Sequence, residues 1–245
     1  MISLEVEQFV SILFQKPGLV SSNFFFEHDP IVIDELDVVE ENGQRLYVTP
    51  SGLRYPSITT VLGVRSKASL AKWRKNVGEE EANRISARAS SRGTRIHKMC
   101  EDYLNNVLHE SIEKYGYSDR LMFDSMRSVF DEHIGKVRVQ EASLYSDFMR
   151  VAGRVDCIAE FGGKLSVIDF KTAAKPKEER YIENYFMQTA GYAVMFEERT
   201  GIPISRLVVI IGVDDHDTQV FVKKRDDYIE EFMEVRSEYK KLYGI

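Results

Sequence analysis

The chain has 245 residues, an apolar fraction of 43% and a formal net charge of −6. This length allows one large domain or two small ones, and the apolar fraction is sufficient for a buried core. No run approaches the roughly 18 apolar residues that a membrane helix needs, and the first ten residues lack the layout of a signal peptide. The two cysteines, Cys100 and Cys157, are too few for a disulfide framework or an iron–sulfur cluster. We therefore expect a cytoplasmic protein with buried thiols.

Positive charge is concentrated between residues 65 and 98, where ten lysines and arginines stand against three glutamates. The negative total argues against a protein that coats nucleic acid without specificity, but a local basic field can steer a polyanion to one place. The alternative is an ordinary solvated helix face. Charge alone leaves both interpretations open.

The pattern along the chain favours one domain over residues 1–245, because there is no repeat and no linker-like tract. We expect an N-terminal extension (1–56), a helical DNA-binding part (57–135) and a core of sheet and helices (136–245). In the extension, the Asn42–Gly43 pair predicts a hairpin. Ser57 then predicts the N-cap of a helix.

A helix is predicted from about residue 80 to residue 107. Projection at 100° per residue gives a core stripe of Ile85, Ala89, Ile96, Cys100, Tyr103 and Val107. Four arginines fall on one flank of this stripe, and His97 with Glu101 falls on the other. Gly93, four residues before His97, removes side-chain bulk from the second flank, which suggests close approach by another group.

From residue 137 to residue 172 the apolar period changes to two, which predicts three strands in a meander. A helix ending at Gly201, two further strands and a final helix from about residue 226 follow. The predicted fold is therefore α/β (α+β), with a mixed central sheet flanked by helices.

The Gly162–Gly163 pair predicts a two-residue turn between the second and third of these strands. With the turn centred there, Asp156 lies opposite Asp169, and Arg154 lies opposite Lys171. Opposed carboxylates repel, so a cation is expected between them, and Mg²⁺ or Mn²⁺ suits two carboxylates. The alternative is a salt-bridged, solvent-exposed hairpin face in which Asp156 pairs with Lys171.

Two carboxylates, a lysine and a nearby basic helix indicate one chemistry. A metal held by carboxylates lowers the pKa of a bound water and screens a phosphodiester. A lysine beside it can orient the water or stabilise developing negative charge. The set therefore predicts phosphodiester hydrolysis.

Four segments in order, "PSITTVL", "RGTRIHKMCEDYL", "GRVDCIA…GGKLSVIDFKTAAKPK" and "QTAGY", extend this interpretation. Together they resemble the RecB-like branch of the PD-(D/E)XK nucleases and, within it, the mitochondrial genome maintenance exonucleases and their phage relatives. The resemblance covers roughly residues 55 to 200. It implies a restriction-endonuclease-like core, and its phage relatives suggest a bacterial or phage-infected cell as the setting.

The resemblance implies a role for each matching residue. His97, Asp156, Asp169 and the Phe170 carbonyl would bind Mg²⁺ or Mn²⁺, and Lys171 would be the catalytic lysine. Gln188 and Tyr192, one helical turn apart, would hold the substrate strand. Some relatives carry four iron–sulfur cysteines, and this chain does not.

Several residues stay open between two roles. Glu101 is a candidate for a second metal or a supporting hydrogen bond. Glu141 is a candidate for the same roles or for a solvent-facing position. Ser57, with Thr59, is a candidate for holding a phosphate or for simple capping. Arg92, Arg95 and Arg154 are candidate contacts to the DNA backbone. Trp73 is a candidate for stacking on a base or for burial in the core.

The sequence thus predicts a metal-dependent deoxyribonuclease, in the first place an exonuclease on single-stranded or end-exposed DNA in replication, recombination or repair. An endonuclease or flap-cleaving enzyme, a non-catalytic DNA-binding module and a protein with a merely structural acidic hairpin are its rivals. We expect DNA as the partner and no membrane.

Overall fold

A computed structural model describes residues 25–41 and 43–244 of the protein. Within them, a three-stranded antiparallel sheet precedes a five-stranded mixed sheet. The strands are β1 (Asp37–Glu41), β2 (Gln44–Val48), β3 (Arg54–Pro56), β4 (Ile134–Ser146), β5 (Val151–Phe161), β6 (Lys164–Ala173), β7 (Arg206–Val213) and β8 (Gln219–Lys224). The large sheet keeps the chain order β4 to β8, and only β6 and β7 run parallel. The predicted mixed sheet is confirmed.

Helices cover both sides of the large sheet. They are α1 (Ile58–Val77), α2 (Glu79–Leu104), α3 (Tyr117–His133), α4 (Glu183–Thr200) and α5 (Ile229–Tyr243). One core joins α1, α4 and α5 to one side of the sheet, and a second core joins α2 and α3 to the other. In the described part of the chain, no helix is both long and apolar enough to cross a membrane.

The turn chemistry read from the sequence is confirmed. Gly162 and Gly163 have φ values of 55° and 70°, and two positive φ values in succession define the type I′ turn that side chains disfavour. Gly201 ends α4 with a φ of 73°. The pairing of β1 with β2 confirms the N-terminal hairpin, although Asn42 lies outside the described residues.

The predicted core stripe of α2 is right for only half of the helix. Ile96, Cys100 and Tyr103 are buried, but Ile85 is 41% exposed and Ala89 is exposed. Val107 lies beyond the helix end and is 39% exposed. Periodicity identifies a side of a helix but not how far the sheet extends beneath it, and the first half of α2 projects past the second core.

Close packing explains the glycine of the "GRVD" segment. A Cβ on Gly153 would lie 2.9 Å from Tyr192 Oη, 3.0 Å from Tyr192 Cε1 and 3.3 Å from Ile58 Cγ2. The aromatic ring of α4 and the first residue of α1 therefore rest directly on β5. Gly153 lets these helices approach the strand that carries Asp156.

We expect Gly153→Ala to lower the free energy of unfolding by about 1–3 kcal/mol, because the buried ring cannot yield to the added methyl group. Urea denaturation measures the change. Gly63→Ala is the matched control, since a Cβ there meets no atom within 4 Å and should add up to about 1 kcal/mol in a helix. Equal stability of the two variants would contradict this packing.

Candidate active site

The hairpin register places the acids as predicted and then breaks. β5 and β6 pair from Phe161–Lys164 to Cys157–Ile168, and the same register continued by one residue would bring Asp156 opposite Asp169. At that point the strands separate. The Asp156 carboxylate enters the gap, where its Oδ2 accepts a hydrogen bond of 2.8 Å from the Phe170 backbone N–H.

A third acid lies on the neighbouring strand. β4 pairs Gln140 with Cys157 and Ala142 with Val155, so Glu141 is opposite Asp156. Glu141 has a φ of 46° within a strand, a left-handed conformation that costs a non-glycine residue about 1–3 kcal/mol and is concentrated at functional sites. Three strands in succession thus bring one carboxylate each to the same line across the sheet.

Helix α2 adds a histidine to this line. His97 Nδ1 lies 3.5 Å from Asp156 Oδ2, and the ring meets Phe170 edge-on. One ligand atom each from His97, Glu141 and Asp156 lies within 4.8 Å of the other two. A Cβ on Gly93, one turn earlier, would be 4.0 Å from Thr172 Oγ1, so the helix passes close to β6 here.

Helix α4 completes the site from the other side of the sheet. Asp169 is 1% exposed, and its Oδ1 accepts a hydrogen bond of 3.2 Å from Gln188 Nε2. Its Oδ2 forms an ion pair with Lys171 Nζ, which lies 5.2 Å from the centre of the Tyr185 ring. Burial of Asp169 beneath α4 excludes the solvent-exposed hairpin face.

The charges of these groups depend on one another. Burial, followed by repulsion from Asp156, raises the pKa of Glu141 to about 7. Burial also raises the pKa of Asp169 to about 6, against the attraction of Lys171. Burial alone would raise the pKa of Asp156, but the hydrogen bond and charge of His97 lower it. Burial and mutual repulsion therefore disfavour the ionised forms of these acids, and a cation between them would stabilise those forms.

The donor set fits a divalent metal ion. Asp169 is buried, and among the described residues its Oδ2 meets only the Lys171 ammonium group, in an ion pair without normal hydrogen-bond geometry. Three carboxylates and one imidazole are the oxygen-rich set that Mg²⁺ and Mn²⁺ take in proteins. His97, Glu141 and Asp156 form the cluster that would hold the ion, and the adjacent Asp169 would be a further ligand.

The raised pKa of Glu141 gives a stability test. Its ordinary value is 4.5 and its folded value is about 7, so the protonated side chain adds stability at low pH that is lost as the pH rises through 7. In metal-free protein, we expect the melting temperature of Glu141→Gln, relative to that of wild type, to rise between pH 5 and pH 8. Mn²⁺ should raise the melting temperature of wild type more at pH 8 than at pH 6. At each pH it should raise that of Glu141→Gln less than that of wild type. If the melting temperatures of wild type and Glu141→Gln changed with pH by the same amount in the absence of metal, the raised pKa of Glu141 would be contradicted.

Three of the predicted basic and polar residues are engaged elsewhere in the structure. Arg92 pairs with Asp214, and Arg95 pairs with Asp119 through two nitrogens at 2.6 and 3.0 Å. Both arginines line a cavity of about 660 Å³ on the flank of α2 away from His97. Ser57 caps α1, with its Oγ accepting from Thr60 N–H at 3.0 Å.

The remaining predicted residues are placed as follows. Arg154 pairs with Glu35 at 2.7 Å and donates a hydrogen bond to the Glu141 carbonyl. Because the pairing of β5 with β6 ends at Cys157, Arg154 does not face Lys171 as predicted. Glu101 pairs with Lys98 at 3.0 Å, one turn after His97 on α2. Tyr192 is 3% exposed, in the core beneath Gly153 rather than at the surface.

Two residues near the site have no firm role from the sequence alone. Glu141 can be placed by register, since the turn at residues 147–150 centres the β4–β5 hairpin so that it meets Asp156. Tyr185 lies one helical turn before Gln188 and so shares its side of α4. The sequence contains both signals, but only the fold shows that the two strands and α4 converge.

Residues 64–244 match the family model of the PD-(D/E)XK nuclease superfamily. The chain belongs to this superfamily, in agreement with the resemblance of its segments. Mitochondrial genome maintenance exonuclease 1 of Xenopus tropicalis is 28% identical over 173 residues, which are 65% of this chain and 49% of that protein. The protein of the same name from Homo sapiens is 29% identical over 153 residues, which are 56% of this chain and 42% of that protein.

The chain therefore spans about half the length of the curated relatives it matches. Among solved structures, a protein from Eubacterium rectale aligns over 61% of this chain and 65% of its own, at 10% identity and a TM-score of 0.44. A likeness of that size identifies neither fold nor function.

Proposed function

We propose that this chain is a divalent-metal-dependent deoxyribonuclease, and in particular an exonuclease that acts on single-stranded or end-exposed DNA. The observation that most supports this proposal is a cluster of five side chains at the point where β5 and β6 separate: His97, Glu141, Asp156, Asp169 and Lys171. The membership of residues 64–244 in a nuclease superfamily supports hydrolysis of phosphodiesters. The exonuclease name of the relatives supports the preference for ends.

The proposal gives each residue a role that its position supports. His97, Glu141, Asp156 and Asp169, with the Phe170 carbonyl, would hold the metal. When bound, Mg²⁺ or Mn²⁺ supplies a bound water of lowered pKa and screens phosphate charge. Asp156 also fixes the backbone of β6 through the Phe170 N–H, so that the acids of both strands keep their separation.

Lys171 would act on the reacting atoms. Its side chain is 19% exposed and is held between Asp169 and the Tyr185 ring. The pKa of Lys171 is raised: burial alone would lower it, but Asp169 and Asp156 favour the charged form. A fixed ammonium group next to the acids can orient the attacking water and stabilise charge that develops on the phosphate. Gln188 of α4 orients Asp169 by a hydrogen bond to its Oδ1.

The strand of DNA would enter along the basic helical part of the chain. The first half of α2 and the second half of α1 project from the core with most side chains exposed, and this segment carries the concentrated positive charge. A basic surface that leads to an acidic, metal-holding site attracts a polyanion without binding it permanently at the reaction centre. Replication, recombination or repair of DNA is the setting that we propose.

A cleavage assay tests the function. Linear single-stranded DNA labelled at the 5′ end or the 3′ end is incubated beside circular single-stranded DNA, with Mg²⁺, Mn²⁺ or EDTA. We expect metal-dependent loss of linear DNA only, and early release of one label identifies the polarity. Cleavage of circles would show an endonuclease, and binding without cleavage under any metal would show a binding module.

A further inference from the structure

The cleft beside the candidate metal site receives a side chain from the N-terminal sheet. The cleft has a volume of about 680 Å³ and opens between α2, β4 and β5. Among the residues that line it are Arg45, His97, Lys98, Glu141, Arg154 and Asp156. Arg45 lies on β2, outside the residues 64–244 that match the superfamily. Membership in the superfamily therefore says nothing about this arginine.

Arg45 differs from the other two basic groups of the cleft in its pairing. Lys98 forms ion pairs of 3.0 Å with two acids of its own helix. Arg154 is bound by Glu35 at 2.7 Å. Within residues 25–41 and 43–244, the Arg45 side chain has neither an ion pair nor a hydrogen bond, although Glu40 is its partner in the β1–β2 register. Its charge is free for a ligand.

A buried aromatic ring lies beneath the exposed Arg45 side chain. The Arg45 Cζ atom lies 5.3 Å from the centre of the Tyr47 ring, two residues along the same side of β2. Tyr47 is buried and pairs with Tyr55 of β3. A guanidinium group stacked on a ring keeps its edge donors available. Less conformational freedom is then lost when those donors bind.

We propose that Arg45 binds a backbone phosphate of the substrate strand beside the metal site, and that the N-terminal sheet is thereby one wall of the substrate cleft. A planar guanidinium binds two oxygens of one phosphate at once. Glu141 and Asp156 line the same cleft, so an arginine there without an acidic partner among the described residues would attract the negatively charged strand. The inference rests on the proposed deoxyribonuclease function.

The test compares Arg45→Gln with Arg54→Gln, which removes the same charge from the same small sheet but not from the cleft; Arg54 pairs with Glu41 on β1. Binding of fluorescent single-stranded DNA is measured in EDTA at several salt concentrations. We expect Arg45→Gln to raise the dissociation constant about five- to tenfold and to reduce the salt slope by about 0.7. Arg54→Gln should change neither, and Arg45→Lys should keep most of the slope.

The possible results separate the two proposals. If wild type binds and cleaves DNA and the two glutamine variants behave alike, Arg45 is not a phosphate contact and the nuclease proposal stands. If wild type neither binds nor cleaves DNA under any metal, both proposals fail together. Unchanged melting temperatures show that weaker binding is not unfolding, and Arg45→Lys decides the matter if Arg45→Gln melts early.

Discussion

Replacement of Lys171 by alanine is expected to lower the rate of metal-dependent DNA hydrolysis by at least about 100-fold, which is the usual cost of removing one preorganised group that stabilises transition-state charge. Lys171 carries the ammonium group that is fixed against Asp169 and Tyr185. Binding of DNA should fall far less than the rate, because the basic helices remain. Initial rates on labelled linear DNA at saturating Mn²⁺ measure the effect.

Lys164→Ala is the matched control for this prediction. Lys164 is at the exposed start of the same strand, next to the Gly162–Gly163 turn and away from the acids. Its replacement removes an equal charge and should leave the rate within about twofold. A Lys171→Ala enzyme that retains the wild-type rate would remove lysine from the mechanism.

Asp156→Asn is expected to abolish tight binding of Mn²⁺ and, with it, hydrolysis. The amide keeps an oxygen that can accept from the Phe170 N–H, so the strand geometry is preserved, but the negative charge is lost. Because changes around a metal ligand already cost about 10–100-fold in affinity, loss of the ligand itself should cost more. Calorimetric titration of Mn²⁺ into metal-free protein measures this.

The control for Asp156→Asn is Glu160→Gln, the same chemical change further along β5. Glu160 pairs with Leu165 near the Gly162–Gly163 turn, at a distance from the site. Its replacement should leave Mn²⁺ binding unchanged. Equal Mn²⁺ affinity in wild type and Asp156→Asn would contradict the assignment of Asp156 as a ligand.

Local chemistry decides those parts of the fold that can be predicted from the sequence. Gly162 and Gly163 specify a two-residue turn, and that turn sets the register of β5 against β6. The turn alone is therefore enough to bring the acids of the two strands next to each other. Gly201 and Ser57 mark helix ends in the same way, because capping is a property of a few neighbouring residues.

Features that depend on distant segments could not be predicted. The exposed half of α2 was expected in the core, since a period of 3.6 does not show where the sheet ends. Tyr192 is a predicted substrate contact, and the structure buries its ring in the space that the missing Cβ of Gly153 leaves. Arg95 is a predicted contact to the DNA backbone, and the structure pairs it with Asp119 of α3. Each outcome depends on an element that lies elsewhere in the chain.

The most direct test of the site is a crystal of the protein soaked in Mn²⁺ and measured for anomalous scattering. We expect a strong peak bounded by His97, Glu141 and Asp156, with Asp169 and the Phe170 carbonyl next to it, and no such peak in Asp156→Asn crystals. A wild-type map with no peak between these residues at saturating Mn²⁺, or a peak that persists unchanged in the variant, would contradict the metal site from which the proposed function is derived.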